Sequence, residues 1–378
     1  YGGTRGRVRV YDYVNGSWAQ LGSDIGSGET DEFGKSVSLS ADGSRLAIGG
    51  KSWSWIFNNN DKGFVQVYDY IDGTWSQVGS NISGENSGDL SGNQSRSVSL
   101  SADGSKVAIG STNNGSNSGH VRVYDLSNSS WVQMGSDIDG ESNYDYSGHC
   151  VSLSADGFRV AIGAFYNDGN GSNSGHVRVY DYVNGSWIQV GADIDGEATN
   201  DQSGRSLTLS SDGNRIAIGA PYNDGNGTDA GHVRIYDYEE GNWNQVESDI
   251  DGDSEGDRSG ISVSMSSDGS KVAIGADNHG GTGYYNNNGY GHVRIFSIGT
   301  DEDIFQPATK EELQTAVDLW ISDNSSALDT YGEINTWDVS LITDMSELFM
   351  DKTTFNDDIS SWDVSSVTTM YKMFNIAT

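Results

Sequence analysis

The sequence predicts a mainly β protein, a β-propeller of four-stranded blades with a small C-terminal α/β solenoid. A unit of about 56 residues recurs, with Trp18, Trp75, Trp131, Trp187 and Trp243 at matching positions. A fixed period of this kind indicates one supersecondary unit that is stacked or arranged in a ring. Within each unit, four short segments alternate apolar and polar residues, as half-buried strands do. Asn-Gly and Asp-Gly pairs separate several segments and favour two-residue hairpins.

The repeat that begins near residue 175 shows these predicted strands most clearly. They are His176–Tyr182, Ser186–Gly191, Arg205–Ser210 and Arg215–Ala220. One blade alone has two bare edges and little apolar surface, so we expect neighbouring blades to bury their Val, Ile, Leu and Trp faces against each other. Each repeated tryptophan is therefore predicted to pack between blades. A stack of β units without a propeller axis is the alternative arrangement.

Several segments resemble FG-GAP repeats, which form the seven-bladed propeller of integrin α chains and of many secreted microbial proteins. The likeness rests on Phe33-Gly34, the Ser36–Leu39 strand, Gly219–Pro221 and the G-x-V-R-V-Y strands, and it covers about residues 1–298. The resemblance implies a Ser-rich innermost strand and a Trp-bearing outermost strand. Integrin-type repeats often carry a Ca²⁺ loop at a joint that is here a tight Asp-Gly hairpin, so that calcium site is not carried over.

Strand order also bounds the number of blades, five or more. Four blades are complete, and the remaining predicted strands are Ile261–Ser266, Lys271–Ala276 and His292–Ser297 at one end and Arg7–Tyr13 and Ser17–Gly22 at the other. Because the chain begins at Tyr1 in the middle of a repeat, we expect a fragment or a processed product. A ring closed by an N-terminal outer strand would need about two more blades upstream, which makes an incomplete seven-bladed ring our hypothesis.

The charge of the chain narrows its partners and its location. The 378 residues include 54 acidic and 21 basic ones, a formal net charge of −33. This field repels nucleic acid and anionic membranes, so neither is an expected partner. No apolar run approaches the length of a membrane-spanning helix. We expect a saline setting, outside the cell or at its surface.

The cysteine and the asparagines bound the covalent chemistry. The single cysteine, Cys150, excludes an internal disulfide and fills a position that other repeats fill with serine, so it is predicted to be a small strand residue. Nine N-x-[ST] sequons are glycosylation candidates, although a chain rich in Asn, Gly and Ser also produces sequons by chance. They lie at Asn15, Asn81, Asn93, Asn114, Asn128, Asn170, Asn184, Asn226 and Asn324.

Two loops of each repeat should emerge on the same face of the ring. One is acidic and joins the Trp strand to the next blade, and the other follows the apolar strand and reads N-D-G-N-G. Ca²⁺ takes six to eight oxygen ligands, which such loops offer, but no loop completes an EF-hand pattern. A solvated acidic face is the alternative. The candidate Ca²⁺ ligands are Asp168, Asn170, Asp193, Asp195, Glu197, Asp201, Asp224, Asn226, Asp249, Asp251, Asp253 and Asp257.

One position of the repeat carries histidine in four copies, His120, His176, His232 and His292. Because blade symmetry spreads equivalent residues around the ring, the sequence predicts no metal cluster among these histidines. They are predicted to be residues at the start of a strand.

Two loops break the repeat, residues 51–60 and 277–290. A propeller enzyme places its one catalytic constellation where the repeat is broken, but neither loop offers a nucleophile with a base or an acid pair, so no enzyme is predicted. Both carry aromatic residues beside asparagines, which suit stacking on a sugar or contact with a protein. Local packing of a longer loop is the alternative. The candidate ligand-binding residues are Trp53, Trp55, Phe57, Tyr284, Tyr285 and Tyr290.

Residues 299–306 are predicted to be a linker between the propeller, 1–298, and a small domain, 307–378. Thr309 and Glu312 form a capping box that predicts a helix ending near Ser322. The apolar face of this helix carries Leu313, Ala316, Val317 and Trp320.

A second period, of 25 residues, follows this helix. Trp337–Ser340 recurs as Trp362–Ser365, and such a period is typical of leucine-rich-repeat-like solenoids. The segment Phe355–Met370 resembles the BspA-like surface-protein repeats, F-N-x-D-I-S-x-W-D-V-S-x-V-T-x-M, and the likeness covers about residues 304–378. In that family the repeats form arrays on cell-surface and secreted proteins and are linked to adhesion.

These observations predict a secreted or cell-surface adhesion or structural protein that is not catalytic and presents its propeller loops to a protein or glycan. A carbohydrate-binding module that uses the two aromatic loops is the alternative. An enzyme acting on polysaccharide is a weaker alternative, and it would hold single-copy carboxylates about 5–10 Å apart.

Overall fold

The computed structural model describes residues 6–26, 32–51, 62–86, 89, 92, 97–281, 289–299 and 305–375. The chain divides into two compact units, Tyr1–Ser297 and Ile298–Thr378. The division falls within one residue of the predicted end of the propeller, and each unit is treated by itself below.

The first unit is a five-bladed β-propeller of antiparallel sheets, preceded by the hairpin β1 (Arg7–Val14) and β2 (Ser17–Gly26). Blade 1 contains β3 (Ser36–Leu39), β4 (Arg45–Gly50), β5 (Phe64–Ile71), β6 (Thr74–Gln77) and β7 (Ile82–Ser83). Blade 2 contains β8 (Val98–Leu100), β9 (Lys106–Ser111), β10 (His120–Ser127), β11 (Ser130–Gln133) and β12 (Ile138–Asp139), with one helical turn, α1 (Asn114–Asn117), between β9 and β10.

Blades 3 to 5 follow the same order along the chain. Blade 3 contains β13 (Cys150–Leu153), β14 (Arg159–Ala164), β15 (His176–Val183), β16 (Ser186–Gln189) and β17 (Ile194–Asp195). Blade 4 contains β18 (Ser206–Leu209), β19 (Arg215–Ala220), β20 (His232–Glu239) and β21 (Asn242–Asp251), and blade 5 contains β22 (Ser259–Met265), β23 (Lys271–Ala276) and β24 (His292–Ser297). Four complete blades, one three-stranded blade and one two-stranded hairpin are the elements that the repeat predicts for the described residues.

Each blade is organised by its second strand, which is buried on both faces. In β14, the five residues that follow Arg159 are all buried, which explains the short, continuous apolar run. At the exposed end of this strand, the Arg159 guanidinium pairs with Asp181 of β15 at 2.6 Å. Asn184, with a φ of 50°, turns β15 into β16, as an Asn-Gly hairpin requires.

The Ser-rich strand is the first strand of each blade and forms one edge of its sheet. Successive blades contact each other along these edge strands. The Ser99 hydroxyl accepts the backbone N–H of Leu153 in the next blade at 3.0 Å, and Ser152 accepts that of Leu209 at 3.0 Å. The backbone N–H of Ala155 also donates to Ser211 of the next blade at 2.7 Å. The edge strand of each sheet thus finds hydrogen-bond partners on its neighbour. Cys150, at the register position that Ser36 and Ser206 fill in blades 1 and 4, is buried in β13.

The repeated tryptophans lie on the opposite edge strand and join each blade to the one before it. The Trp187 indole N–H donates to the carbonyl of Met134 in blade 2 at 2.8 Å, and a Cβ on Gly135 would lie only 3.1 Å from the indole ring. The same bond recurs at Trp75, Trp131 and Trp243. Packing between blades is therefore confirmed for Trp131, Trp187 and Trp243, and Trp75 packs in the same way on the preceding hairpin. For Trp18 the prediction is wrong, because its side chain is 70 % exposed and packs on Tyr13 of its own hairpin.

The second unit begins with the predicted helix. Helix α2 (Lys310–Ser322) starts at Thr309, whose hydroxyl accepts the Glu312 N–H, and it buries the four predicted apolar residues. Helix α3 (Asn324–Tyr331) is an additional element, and Asp323 caps it by accepting the N–H of Ser326. A short 3₁₀ turn (Ile334–Thr336) follows.

The two 25-residue coils of this unit stack on each other around buried aromatic rings. The Met345 N–H donates to the carbonyl of Thr369 at 2.9 Å, and that of Phe349 donates to Met373 at 2.8 Å. Trp337 and Trp362 lie parallel, with ring centroids 6.2 Å apart. Among the described residues of these coils, one isolated parallel bridge forms and no strand ladder, so the strand of a leucine-rich repeat is not observed. No helix in the described segments has the length and apolar character needed to cross a membrane.

Trp187→Phe tests the contact between blades, and Trp18→Phe is its matched control. The first variant loses the bond to Met134 and part of a packed ring, so we expect the free energy of unfolding to fall by about 1–3 kcal/mol. The control removes the same atoms from an exposed ring, and we expect a change of less than about 0.5 kcal/mol. Urea denaturation followed by far-ultraviolet circular dichroism measures both. Equal losses in the two variants would contradict the assignment.

Candidate functional site

In blades 2, 3 and 4, two loops meet at one end of the sheet. In blade 3, these are the loop after β14, residues 165–175, and the loop that leaves the blade after β17, residues 196–205. The N–H of Gly196 donates to the carbonyl of Gly175 at 2.8 Å, and that of Ser203 donates to Ser174 at 2.9 Å. The corresponding bonds recur in blade 4, where Gly252 donates to Gly231 and Ser259 donates to Ala230. The acidic and Gly-rich loops thus form one braced surface, called the loop face below.

In blades 2, 3 and 4, a buried aspartate of the outgoing loop contacts a side chain of the following blade. The Asp145 carboxylate accepts the N–H of Ser142 at 3.0 Å and the side-chain amide of Asn167 at 3.1 Å, and the residue is 3 % exposed. Asp201 makes the same contacts with Ala198 and Asn223. Burial raises the pKa of both carboxyls, with the amide bonds opposing the shift.

The repeated histidines lie beside carboxylates from two blades. His176 Nδ1 lies 3.7 Å from Asp193 of its own blade and 4.0 Å from Glu141, which comes from the loop that leaves blade 2. Equivalent groups surround the other two histidines of blades 2 and 4. These interface clusters, each with ligand-type atoms within 4.8 Å of one another, are Glu85, His120 and Asp137; Glu141, His176 and Asp193; and Glu197, His232 and Asp249.

An arginine two residues after each histidine completes the cluster. Arg178 lies 3.4 Å from the second oxygen of Glu141 and donates to the backbone carbonyl of Asp139 at 2.8 Å, so it also bridges two blades. Burial, with a contribution from the adjacent arginines, lowers the pKa of His176 and His232 to about 4. These two imidazoles are therefore neutral near pH 7 and lie beside the arginine–glutamate ion pair. The histidine rings are only 1–2 % exposed.

The structure distributes the candidate Ca²⁺ ligands over several different places. Asp168 and Asp224 accept backbone N–H groups within their own loops, from Asn173 at 2.7 Å and from Asp229 at 2.8 Å. Asn170 and Asn226 donate their amides to the carbonyls of the neighbouring loop. Asp193, Glu197 and Asp249 belong to the interface clusters, and Asp201 and Asp257 are buried aspartates of the outgoing loops. Asp195 and Asp251 are exposed residues at the ends of strands on the loop face, and Asp253 lies between blades 4 and 5.

Sequence reasoning considered only the distances between the repeated histidines, which do lie in separate blades. It named Glu197 only as a candidate Ca²⁺ ligand, and it did not single out the arginines or His279. A signal was present, because Glu85, Glu141 and Glu197 recur with the period of the repeat and H-x-R stands at the start of four strands. The pairing of a glutamate with the histidine 35 residues later depends on how one blade docks on the next, which spacing alone does not reveal.

The aromatic candidates fall mostly outside the described residues, namely Trp53, Trp55, Phe57, Tyr284 and Tyr285. Tyr290 is described, and its side chain is 96 % exposed. Among the sequons, Asn93 lies outside the described residues, Asn114 is half-buried, and the other seven asparagines are exposed.

Shallow cavities lie where the Trp strand of one blade meets the preceding outgoing loop. One of about 250 Å³ is lined by Asn81, Tyr124 and Trp131, among others, at the interface of blades 1 and 2. Another of about 190 Å³ is lined by Asp195, Tyr236 and Trp243 at the interface of blades 3 and 4. Each combines an indole, a phenol ring and polar groups of a loop.

Two protein-family models match parts of the chain. The FG-GAP repeat model matches residues 137–180, which run from the end of blade 2 into blade 3. A model described as "Mycoplasma protein of unknown function, DUF285" matches residues 321–378. The first match agrees with the predicted FG-GAP character of the propeller, whereas the second does not identify BspA-like repeats. No curated protein matches the chain.

Several solved structures are similar to the chain at low identity. TolB from Acinetobacter baumannii is 19% identical with a TM-score of 0.43, over 77% of this chain and 57% of TolB. Hydrazine synthase of Kuenenia stuttgartiensis is 16% identical with a TM-score of 0.47, over 72% and 68% of the two chains. The β-propeller domain of the Trilobed protease from Pyrococcus furiosus is 13% identical with a TM-score of 0.41, over 69% and 68%. The chain spans a little over half of the TolB chain, and similarity at this level carries no information on activity.

Asp145→Asn and Asp42→Asn should change the pH dependence of stability in opposite directions. Burial raises the folded-state pKa of Asp145, so wild-type stability falls as pH rises from the unfolded-state pKa, about 4, through the raised folded value. Asparagine has no such titration, so the stability of Asp145→Asn relative to wild type should rise over that interval.

For Asp42, bonds from Ser40 and Ser44 lower the pKa to about 2, so its stabilising contribution is present above pH 4 and lost as pH falls towards 2. Asp42→Asn should therefore lose stability relative to wild type at pH 6 and approach it near pH 2. Urea titrations between pH 2.5 and 7 measure both trends. A parallel response of the two variants would contradict these environments.

Proposed function

We propose that this protein is a secreted or cell-surface adhesion or structural protein, without catalytic activity, whose loop face binds a protein or glycan partner. One observation carries the proposal: the same braced pair of loops and the same interface cluster recur on consecutive blades. A catalytic site needs one unique constellation, whereas repeated copies of one surface suit binding at several points at once.

The electrostatics of the loop face favour a partner with basic groups. Asp139, Asp195 and Asp251 occupy equivalent exposed positions where the outermost strands end. Charges of one sign on a rigid surface steer an oppositely charged partner and mainly raise its association rate, with a strong dependence on salt. The hydrogen bonds between the paired loops reduce the ordering cost of binding, since the surface is already formed.

Binding of a glycan is a second candidate, favoured by the cavities between blades. In each of the two cavities, an indole and a phenol ring stand beside polar loop groups, the combination that holds the flat face and the hydroxyls of a sugar. This observation replaces the two aromatic loops as the structural support for a carbohydrate-binding module, because those loops lie largely outside the described residues.

We further infer the finer architecture from the resemblances. The five blades and the preceding hairpin are proposed to belong to a ring of the seven-bladed FG-GAP kind. The second unit is proposed to be a BspA-like surface repeat of a solenoid, which is supported by the bonds that link its coils at a 25-residue offset, such as Thr368 to Thr343. Ca²⁺ bound by exposed loop carboxylates is compatible with this proposal.

Neutralising the loop face tests the proposed function. Asp139→Asn/Asp195→Asn/Asp251→Asn removes three exposed charges from this face, whereas Asp72→Asn/Glu239→Gln/Glu240→Gln removes three at the hairpins on the opposite strand ends. We expect the first variant to lose about tenfold or more in affinity for a partner found on arrays of glycans and of extracellular proteins, and the control to lose little. Surface plasmon resonance at two salt concentrations measures the difference.

The outcomes distinguish the two candidate ligands. Retained binding to proteins with a steep salt dependence supports the charged loop face, whereas binding to glycans that is lost in Trp131→Ala supports the cavities. Equal losses in the two triple variants, or no binding on either array, would contradict the proposal.

A further inference from the structure

The interface between blades 4 and 5 differs from the other interfaces at two positions, because Asp253 stands where each interface cluster has a glutamate and a histidine stands where blades 3 and 4 have an asparagine. At the position where blades 3 and 4 place Asn167 and Asn223, blade 5 places His279, in the loop that follows β23. This histidine faces His292, the first residue of β24, with ring centroids 3.9 Å apart. The outgoing loop of blade 4 supplies Asp253 and Asp257 to the same place. The cluster at this interface therefore holds two imidazoles, whereas each of the other three clusters holds one.

The first histidine is oriented by a buried carboxylate. His279 Nδ1 lies 2.9 Å from Asp257 Oδ2, and the Asp257 side chain is only 2 % exposed. Asp257 also accepts the N–H of Ser254 at 3.1 Å, so the carboxylate itself is held in place. A carboxylate on one ring nitrogen fixes the tautomer and leaves Nε2 as the basic nitrogen, which is the usual support of a metal-bound histidine.

The second histidine has a buried nitrogen without a hydrogen-bond partner. His292 Nε2 lies 3.9 Å from Asp253 Oδ2, a distance too long for a hydrogen bond. The other oxygen of Asp253 accepts a bond from Arg294 at 2.6 Å, so Oδ2 remains available. A buried, unsatisfied nitrogen costs free energy unless something binds it.

We propose that His279, His292 and Asp253 bind one divalent transition-metal ion of the Zn²⁺ class, with Asp257 supporting His279. Two imidazoles and a carboxylate are a donor set suited to such ions and unlike the all-oxygen set that Ca²⁺ prefers. The three ligand atoms lie within 4.8 Å of one another. Ligand atoms that lie about 2.0–2.1 Å from a tetrahedral ion are about 3.3 Å from one another. Side-chain rotations that move the ligand atoms by roughly an ångström would therefore complete the site.

Access and charge also favour this interface over its sisters. The His279 and His292 side chains are 36 % and 22 % exposed, whereas His120, His176 and His232 are 1–2 % exposed. Asp253 and Asp257 carry two negative charges, and Arg294 carries one positive charge. The resulting net negative charge favours binding of a divalent cation. This inference goes beyond the proposed function and stands independently of it.

Titration of the full chain with Zn²⁺, in competition with a chromophoric chelator, tests the site. We expect wild type to bind one equivalent more tightly than any other. His279→Asn restores the amide that the sister interfaces carry, so it should fold and lose that equivalent. Asp257→Asn should weaken Zn²⁺ binding about 10–100-fold, the effect of removing a carboxylate that supports a ligand. His149→Asn, which removes a histidine elsewhere in the propeller, should leave binding unchanged.

A Co²⁺ spectrum and a melting curve make the result decisive. Wild type should show the visible absorption of a four- or five-coordinate site and a higher melting temperature with Zn²⁺, and His292→Ala should show neither. Ca²⁺ in excess should not displace the ion. Absence of a Zn²⁺ equivalent in wild type, or its retention in a folded His279→Asn, would overturn the proposal.

Discussion

The structure of the propeller depends on how one blade docks on the next. Each sheet ends in two edges that need partners, and its apolar faces need cover. On the inner side, serine hydroxyls such as that of Ser152 accept backbone N–H groups of the next blade. On the outer side, an indole such as that of Trp187 donates to a carbonyl of the blade before it. The contacts between blades therefore supply hydrogen-bond partners to backbone groups that the edges of isolated sheets would leave unpaired.

The docking of one blade on the next also brings together the charged side chains of the interface clusters. A glutamate from one blade meets a histidine, an arginine and an aspartate of the next, so the interface clusters exist only when two blades are joined. Because the same docking recurs, the clusters recur, and a substitution in one copy changes the side chains of that interface alone. His279, in place of an asparagine, is such a change, and it places a second imidazole in the last of these interfaces.

The sequence predicted the blades well because their causes are local. Period-two alternation, Asn-Gly turns and a capping box act within a few residues, and they correctly predicted the order of strands and the helix that begins after Thr309. Spacing did not predict which side chains meet across blades. The partner of Glu141 is 35 residues away, and the contact of Asp145 with the following blade depends on the amide of Asn167. Trp18 also follows the repeat, although its indole lacks the contact that the other copies make.

Hydrogen–deuterium exchange of Trp187→Ala compared with wild type tests most directly whether neighbouring blades stabilise each other. We expect faster exchange on both sides of the altered contact, in β15 and β16 of blade 3 and in β10 and β11 of blade 2, because the contact stabilises both blades. Faster exchange confined to blade 3, with blade 2 unchanged, would contradict it and would mean that each blade is stable on its own.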